Sequence, residues 1–236
     1  MPSATSALAE PNGLVAIGGG LSVPRLLDAY RHGIFPWFDD GDPVLWWSPD
    51  PRLVLPTNAV HVSRSLARRL RRRDVTVTAD TAFAEVIAAC AAPRDGDGRT
   101  WITAEMQRAY QALHRHGAAH SLEVWVDGRL AGGIYGVAIG RAFFGESMFS
   151  RATDGSKLAI VYLANQLARW EVPFIDCQVT SDHLISLGAR ELPRRAFLDR
   201  IGALVDRPPI AGPWRLDPDL PDRVAAAAAA AGHTGR

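Results

Sequence analysis

The chain has 236 residues, a formal net charge of +1 at pH 7 and 47% hydrophobic residues. This length predicts one large domain, or one domain with a smaller one beside it, and the composition is that of an ordinary globular protein. The sequence has no run of 18 or more apolar residues, so we expect no transmembrane helix and no membrane partner. The first ten residues lack the basic and apolar segments of a secretory signal, so we expect a cytoplasmic protein.

The cysteines and arginines of the sequence indicate which kinds of binding site to expect. Cys90 and Cys177 are the only cysteines and neither lies in a CxxC pair, so the sequence predicts reduced thiols and no metal or redox motif. Lys157 is the only lysine, whereas arginine is abundant and locally crowded. The default interpretation of the crowded stretch is a solvated helix face, and the alternative is a surface that holds a phosphate backbone. Its members are Arg64, Arg68, Arg69, Arg71, Arg72 and Arg73.

The first 60 residues are predicted to form a small N-terminal unit. A short apolar strand precedes the glycine turn at residues 18–20, and Ser22 is placed to cap a helix from residue 23 to about residue 32. Prolines at four positions between residues 36 and 51 then favour extended and looped structure over helix. We expect residues 61–236 to form the second, larger domain.

The larger domain begins with the arginine-rich helix, predicted to end at about residue 73. Asp127 and Gly128 are typical of a hairpin turn between two strands. The predicted order is helix, strand, two helices, three antiparallel strands, helix and strand, followed by two more helices and a loose Ala-rich helical tail at residues 225–231. This order resembles the α/β (α+β) fold of the GCN5-related N-acetyltransferases, in which a helix N-terminus beside a strand holds the acyl donor.

Two predicted strands carry ionisable groups inside otherwise apolar runs. Glu146 lies in the first strand and Asp176 in the next, one helix later. A buried carboxylate is costly unless it is paired or used, so this pair indicates a shared cleft. An isolated Asp would by default be a capping or salt-bridged residue. Because strand residues alternate between faces, we expect Asp176 and Gln178 to point the same way and Cys177 to face the other side as an inert thiol.

Seven short motifs are more specific than the order of the elements. They are Asn12-Gly13-Leu14, Gly33-Ile34-Phe35-Pro36-Trp37-Phe38, Leu45-Trp46-Trp47-Ser48-Pro49, Thr100-Trp101-Ile102-Thr103, Gly145-Glu146-Ser147-Met148-Phe149-Ser150, Ile175-Asp176-Cys177-Gln178 and Ser186-Leu187-Gly188-Ala189. Together, and in this order over about residues 11–200, they resemble the bacterial leucyl/phenylalanyl-tRNA–protein transferases.

The resemblance implies an enzyme that moves Leu or Phe, and less efficiently Met, from aminoacyl-tRNA to the α-amino group of a protein that begins with Arg or Lys. The product would enter the bacterial N-degron pathway for degradation by Clp protease. Because the acyl donor is already an activated ester, such an enzyme needs no ATP, metal or covalent intermediate, and we expect no cofactor. Nothing in the pattern demands a dimer, so we expect a monomer.

With that reaction in view, three polar residues are the expected catalytic set. Asp176 is the polarising carboxylate, Gln178 bridges it to the incoming α-amine, and Glu146 holds the α-amino group or the ribose of the donor. The same carboxylates would also attract the cationic side chain of the acceptor. Direct proton removal by Asp176 stays open beside a relay or positioning role, because an unshifted carboxylate is a weak base.

The side chain of the donor requires an apolar pocket of limited width. Phe143, Met148 and Ile175 lie beside the polar motifs and are expected to line it.

The tRNA is expected to bind through aromatic and basic groups. Trp37 and Trp101 are candidates for stacking on the terminal adenine, with Tyr30 and Tyr110 as supports that the resemblance implies. The six crowded arginines would hold acceptor-stem phosphates without reading sequence.

Three other functions remain open at this point. An acyl-CoA N-acetyltransferase predicts a glycine-rich pyrophosphate loop, whereas residues 151–157 offer only Gly155. A non-catalytic RNA-binding module would use the arginine helix but leaves Glu146, Asp176 and Gln178 unexplained. A glycosidase would use the two carboxylates as its acid and base but leaves the basic helix idle.

Overall fold

The computed structural model describes residues 1–72, 74–92 and 100–231, and within these ranges it has two sheets. The strands are β1 (Leu14–Ile17), β2 (Phe35–Pro36), β3 (Leu45–Trp47), β4 (Arg52–Pro56), β5 (Val75–Ala79), β6 (Ala119–Val126), β7 (Arg129–Ile139), β8 (Ala142–Ser150), β9 (Phe174–Gln178) and β10 (Arg190–Leu192). The helices are α1 (Val23–Arg31), α2 (Arg64–Leu70), α3 (Phe83–Ala91), α4 (Ala104–Arg115), α5 (Gly155–Arg169), α6 (Asp182–Ser186), α7 (Arg194–Val205) and α8 (Leu220–Ala231).

The small sheet is antiparallel and has the strand order β1-β3-β2. Its strands are short because prolines and glycines interrupt the chain on both sides. Trp46 is almost completely buried, and its indole N–H donates to the carbonyl of Gly18 over 3.0 Å. That bond attaches the glycine turn to the sheet. The predicted first strand and the helix that follows Ser22 are both confirmed.

The large sheet has seven strands in the order β10-β4-β9-β8-β7-β6-β5. Every neighbouring pair is antiparallel except β8 and β9, which run parallel after the crossover through α5. The mixed α/β class is therefore confirmed. β4 lies inside this sheet, although the predicted domain boundary at residue 60 assigns it to the N-terminal unit. Its hydrogen bonds to β9 and β10 make it part of the larger domain.

Helices cover both faces of the large sheet. Along β4, Leu53 and Leu55 belong to the core beneath α2, α5 and α8, whereas Val54 belongs to the core shared with α1, α3, α4 and α7. This alternation is the period of two that a strand buried on both sides requires. None of the helices in the described ranges has the length and apolar character to cross a membrane.

Two predicted helices have different limits in the structure. α2 ends at Leu70, before the predicted end at Arg73, which lies outside the described residues. The Ala-rich tail was predicted to be loose, but α8 starts at Leu220 and packs against α2 and α5. Leu220, Val224 and Ala228 are buried at helical spacing, so this apolar stripe holds the tail on the domain.

Candidate active site

The first local feature of the site is a β-bulge in β8. Gly136 of β7 faces Gly145 of β8. Tyr135, which precedes Gly136 on the antiparallel strand β7, faces Ser147. Glu146 is therefore an extra residue without a partner in the ladder. A bulge bends its strand and re-aims the side chain that it carries. Here it turns Glu146 away from regular pairing with β7.

A second bulge lies beside the first, in β9. Val54 of β4 faces Asp176, and Leu53 faces Gln178, so Cys177 is the extra residue. The parallel pairing of β8 with β9 ends at Phe144 and Asp176. The ladder between the two strands does not extend to Gly145 and Glu146 on β8 or to Cys177 on β9.

The opening between the separated strands forms a cavity of about 730 Å³. Residues of β8 and β9 form its floor, and residues of α5, of α6 and of β2 with the adjacent Trp37 are also part of the lining. Of the predicted site residues, six line it: Glu146, Gln178, Met148, Ile175, Trp37 and Trp101. A cavity of this size accommodates a small molecule or the end of a larger one.

Glu146 is the centre of a hydrogen-bonded chain. Its Oε1 accepts from Nε2 of Gln178 over 2.9 Å, and its Oε2 accepts from the hydroxyl of Tyr110 over 2.7 Å. The hydroxyl of Tyr110 also contacts that of Tyr30, and both tyrosines are fully buried. The structure therefore places the two tyrosines behind Glu146 and not among the residues that line the cavity.

The environment of Glu146 changes its acidity. The pKa of Glu146 is raised to about 7. Burial is the largest cause and the nearby charge of Asp176 acts in the same direction, whereas hydrogen bonds from Tyr110 and Gln178 oppose them. A carboxyl group with this pKa exchanges protons near neutral pH. It is suited to bind an ammonium group or to accept a proton from one.

Asp176 occupies a different environment. Its side chain is fully buried and is held by Arg52, whose Nε donates to Oδ1 over 2.8 Å and whose Nη2 donates to Oδ2 over 2.7 Å. The backbone N–H of Gln178 also donates to Oδ1 over 3.0 Å. Asp176 does not line the cavity. Sequence reasoning missed Arg52, and the only signal was a single charge at the start of the apolar run 52–56.

The bulge also explains why the expected alternation along β9 is interrupted. Cys177 and Gln178 both line the cavity, whereas Asp176 does not. Gln178 has a φ of +65°, in the left-handed region that a non-glycine residue rarely adopts. Cys177 is buried as expected, and burial raises the pKa of its thiol well above the ordinary value.

Two of the three residues predicted to line an apolar pocket lie at the cavity. Met148 and Ile175 line the cavity beside Glu146. Phe143 does not: it is almost completely buried in the core, and its ring centroid lies 5.7 Å from that of Trp214. Phe143 precedes the bulge and belongs to the paired part of β8, and that position directs its ring into the core under α5.

Both predicted stacking residues lie at the cavity. Trp37 is 43% exposed and belongs to the lining of the cavity. Trp47 supports it, because its indole N–H donates to the carbonyl of Trp37 over 2.7 Å and the two rings meet edge to face. Trp101 is half-buried in the same lining.

The arginine helix lies outside the cavity. α2 packs against α5, whose residues Ser156 and Ile160 line the cavity. Arg69 is paired with Asp74 over 2.6 Å, and Arg71 donates to the carbonyl of Ala228 over 3.4 Å. The side chains of Arg64, Arg68 and Arg72 are exposed, and Arg73 lies outside the described residues.

No group of three or more His, Cys, Asp or Glu side chains in the described part of the chain is arranged to hold a metal ion. Cys90 and Cys177 are both buried, and they do not form a disulfide with each other.

Relatives that match most of the chain define it as an aminoacyltransferase. The leucyl/phenylalanyl-tRNA–protein transferase of Thiobacillus denitrificans is 57% identical over 92% of this chain and 95% of its own length. That of Nitrosomonas europaea is 55% identical over 94% of both chains. The family model described as leucyl/phenylalanyl-tRNA protein transferase matches residues 54–202, and the model of its N-terminal domain matches residues 19–50. The chain therefore belongs to the leucyl/phenylalanyl-tRNA protein transferase family, as the seven motifs predicted.

Two solved structures align with this chain at low sequence identity. A functionally unknown conserved protein from Staphylococcus epidermidis aligns with a TM-score of 0.41 and 12% identity over 76% of this chain and 68% of its own. A GCN5-related N-acetyltransferase from Kribbella flavida aligns with a TM-score of 0.34 and 13% identity over 70% of this chain and 58% of its own. At this distance neither match says anything about the reaction.

Proposed function

We propose that this protein transfers Leu or Phe, and less efficiently Met, from aminoacyl-tRNA to the N-terminal α-amino group of proteins that begin with Arg or Lys. The product would then be degraded through the bacterial N-degron pathway. The observation that carries this proposal is the contact between Glu146 and Gln178 at the floor of a cavity with apolar and aromatic walls. Such a cavity combines an apolar site for a side chain with polar groups for an amine.

The chemistry of the transfer is ester aminolysis. The acceptor arrives as an ammonium group and loses one proton, its nitrogen bonds to the ester carbonyl, and the ribose oxygen leaves with a second proton. No external energy source is required because the donor is activated. In our proposal Glu146 holds the α-amino group or the ribose of the donor, and Gln178 orients the incoming amine. Alignment of this kind contributes a large part of the rate in two-substrate reactions.

Asp176 has an indirect role in this proposal. Its two oxygens are occupied by Arg52 and by the backbone N–H of Gln178, and it does not border the cavity. These contacts support positioning of Gln178 over direct removal of a proton from the substrate.

Donor binding follows from the other lining residues. Met148 and Ile175 are proposed to contact the side chain of the aminoacyl group, and Trp37 and Trp101 to stack on the terminal adenine. The exposed arginines of α2 are proposed to hold acceptor-stem phosphates, which requires charge but no base contacts.

We also propose that the protein acts as a monomer in the bacterial cytoplasm. Residues from both the small-sheet region and the large sheet line the cavity, so the proposed reaction does not call for a second copy of the chain. The proposed donor, aminoacyl-tRNA, is made and used in the cytoplasm.

The test is transfer of labelled leucine from Leu-tRNA to a peptide that begins with arginine. We expect transfer by the wild-type protein, none to a matched peptide that begins with methionine, and a large loss with Asp176→Ala. Lack of transfer from both Leu-tRNA and Phe-tRNA would overturn the proposal. In that event, acetyl transfer from acetyl-CoA to the same peptide would identify the acyl-CoA alternative.

A further inference from the structure

Arg52 is a fully buried cation enclosed by aromatic rings. Its guanidinium carbon lies 4.8 Å from the ring centroid of Phe35 and 4.5 Å from that of Phe197. Cation–π contacts and the two-point contact with Asp176 hold the planar group in one orientation. Because a buried ion pair is generally no more stabilising than well-packed apolar residues, its presence here points to a role besides stability.

The pair is joined directly to the site through the backbone. Oδ1 of Asp176 accepts from Nε of Arg52 and also from the N–H of Gln178. Gln178 adopts its left-handed φ of +65° at this position. A non-glycine residue keeps such a conformation only where its surroundings hold it. The contact from Asp176 helps to hold this peptide unit, beside the ladder pairing of Gln178 with Leu53, and Arg52 in turn fixes the carboxylate.

The conformation of Gln178 decides where its amide lies. With this backbone, Nε2 is 2.9 Å from Oε1 of Glu146, across the gap between β8 and β9. A regular strand without the bulge at Cys177 would place the side chain differently. Arg52 therefore fixes the carboxylate of Asp176, and Asp176 contacts the backbone of Gln178. That backbone in turn places the side-chain amide of Gln178 in the cavity.

We propose that Arg52 is a positioning residue that, through Asp176, holds Gln178 in the conformation that aims its amide at Glu146. The kinetic experiments that test this role rest on the proposed function. The aromatic rings that enclose Arg52 extend this dependence to β2 and α7, which carry Phe35 and Phe197.

The first experiment uses Arg52→Lys, which keeps the charge but loses the two-point contact. At a temperature well below Tm, we expect kcat for leucine transfer to fall about tenfold to a hundredfold. KM for Leu-tRNA should change less than about threefold, because a misplaced reacting group slows the reaction without weakening the binding of tRNA. Arg169→Lys is the control, because Arg169 is also paired with two carboxylates, those of Asp217 and Asp219, but these lie outside the chain of contacts that leads to Gln178. Unchanged kcat in Arg52→Lys, or a loss shared by the control, would overturn the proposal.

A double-mutant cycle separates positioning from general support of the fold. If Arg52 acts only through the amide of Gln178, Arg52→Lys causes no further loss of kcat in a Gln178→Ala background. Losses that multiply would show that Arg52 acts elsewhere and would contradict the proposal. If Arg52→Lys fails to fold, the neutral pair Arg52→Met with Asp176→Asn replaces it in both arms, with the same expected results.

A crystal structure of the variant tests the positioning role of Arg52 without an activity assay. In a crystal structure of Arg52→Lys, or of the neutral pair, we expect the Nε2–Oε1 distance between Gln178 and Glu146 to exceed 3.5 Å, or Gln178 to leave the left-handed region. Unchanged geometry refutes the positioning role even if the protein transfers leucine. Conversely, a wild-type protein without transfer activity refutes the proposed function. The Gln178–Glu146 geometry in the Arg52 variant still tests the positioning role in that case, because it does not depend on activity.

Discussion

Nε2 of Gln178 and Oε1 of Glu146 lie 2.9 Å apart, although they are on strands whose pairing has already ended. Each strand carries a bulge at this point, and the two bulges open the cavity that the contact faces. A β-sheet normally closes such a gap with ladder hydrogen bonds. Here side-chain contacts replace them, so polar groups remain available at the floor of the cavity.

The raised pKa of Glu146 predicts a pH-dependent cost to stability. Its pKa is about 7 in the folded protein against an ordinary 4.5, so the folded state binds more protons between these values and becomes less stable as pH rises through them. Glu146→Gln cannot titrate. Its free energy of unfolding, relative to wild type, should therefore increase between about pH 4.5 and 7 by on the order of 1–3 kcal/mol. Urea unfolding at pH 5 and pH 8 measures this, and equal differences at both pH values would contradict it.

Tyr110→Phe should raise the pKa of Glu146 still further. The variant removes a hydroxyl that donates to the ionised carboxylate over 2.7 Å, so the neutral form gains relative stability. It should also lower the free energy of unfolding by about 1–2 kcal/mol, because a buried hydrogen bond is lost. The observable is an upward shift in the midpoint of the pH dependence of stability. Tyr162→Phe, on α5 and outside this chain of contacts, should leave the midpoint unchanged.

Substitution of Trp37 should weaken binding of the donor and spare the fold. Trp37 is 43% exposed, so Trp37→Ala removes less packing than truncation of a core tryptophan would. Loss of a base–aromatic stack worth about 1–3 kcal/mol corresponds to a roughly fivefold to hundredfold increase in KM for aminoacyl-tRNA. Trp37→Phe should retain part of the affinity. Steady-state transfer kinetics measure the effect, with Leu8→Ala as a control at another exposed apolar residue; a KM unchanged in Trp37→Ala excludes the stacking role.

The proposed tRNA contact of α2 predicts a change in salt dependence. Arg68 is exposed on this helix. If it neutralises one phosphate, Arg68→Gln should reduce the slope of log affinity against log salt concentration by about 0.7–0.9. Filter binding of aminoacyl-tRNA at several salt concentrations measures the slope. Arg200→Gln, an exposed arginine on α7, is the control that should keep the wild-type slope, and identical slopes in both variants would remove Arg68 from the interface.

Two glycines predict opposite changes in stability on replacement by alanine. A Cβ at Gly132 of β7 would lie 2.4 Å from the backbone of Gly155, where α5 begins, so Gly132→Ala should destabilise the protein by about 1–3 kcal/mol. Gly202 is in α7, and a Cβ there meets no atom within 4 Å. Gly202→Ala should therefore stabilise by about 0.5–1 kcal/mol through helix propensity. Urea unfolding distinguishes them, and similar values for the two variants would contradict the close approach of α5.

Much of the secondary structure was predictable because its signals are local. Ser63 and Thr103 cap α2 and α4 with their side chains, and Asp127 and Gly128 form the turn between β6 and β7 with positive φ. A cap or a turn depends on a few consecutive residues, so the sequence contains all that is needed. The family motifs likewise marked Glu146 and Gln178, both of which line the cavity.

Other features could not be read from neighbouring residues. β4 follows the N-terminal unit in sequence, yet it pairs with β9 more than a hundred residues later. The face on which Phe143 and Asp176 lie depends on bulges, and a period of two cannot predict where a ladder gains an extra residue. The packing of α8 also requires the surfaces of α2 and α5.

By itself, the sequence determined the order of the elements, their caps and turns, and the family to which the chain belongs. The tertiary structure alone decided that Arg52 holds Asp176, that Tyr110 lies behind Glu146, and that Gln178 reaches the cavity. The physical reason is one of range. Hydrophobic periodicity and capping act within a few residues, whereas the partner of a buried charge is chosen by the packing of strands that are distant along the chain.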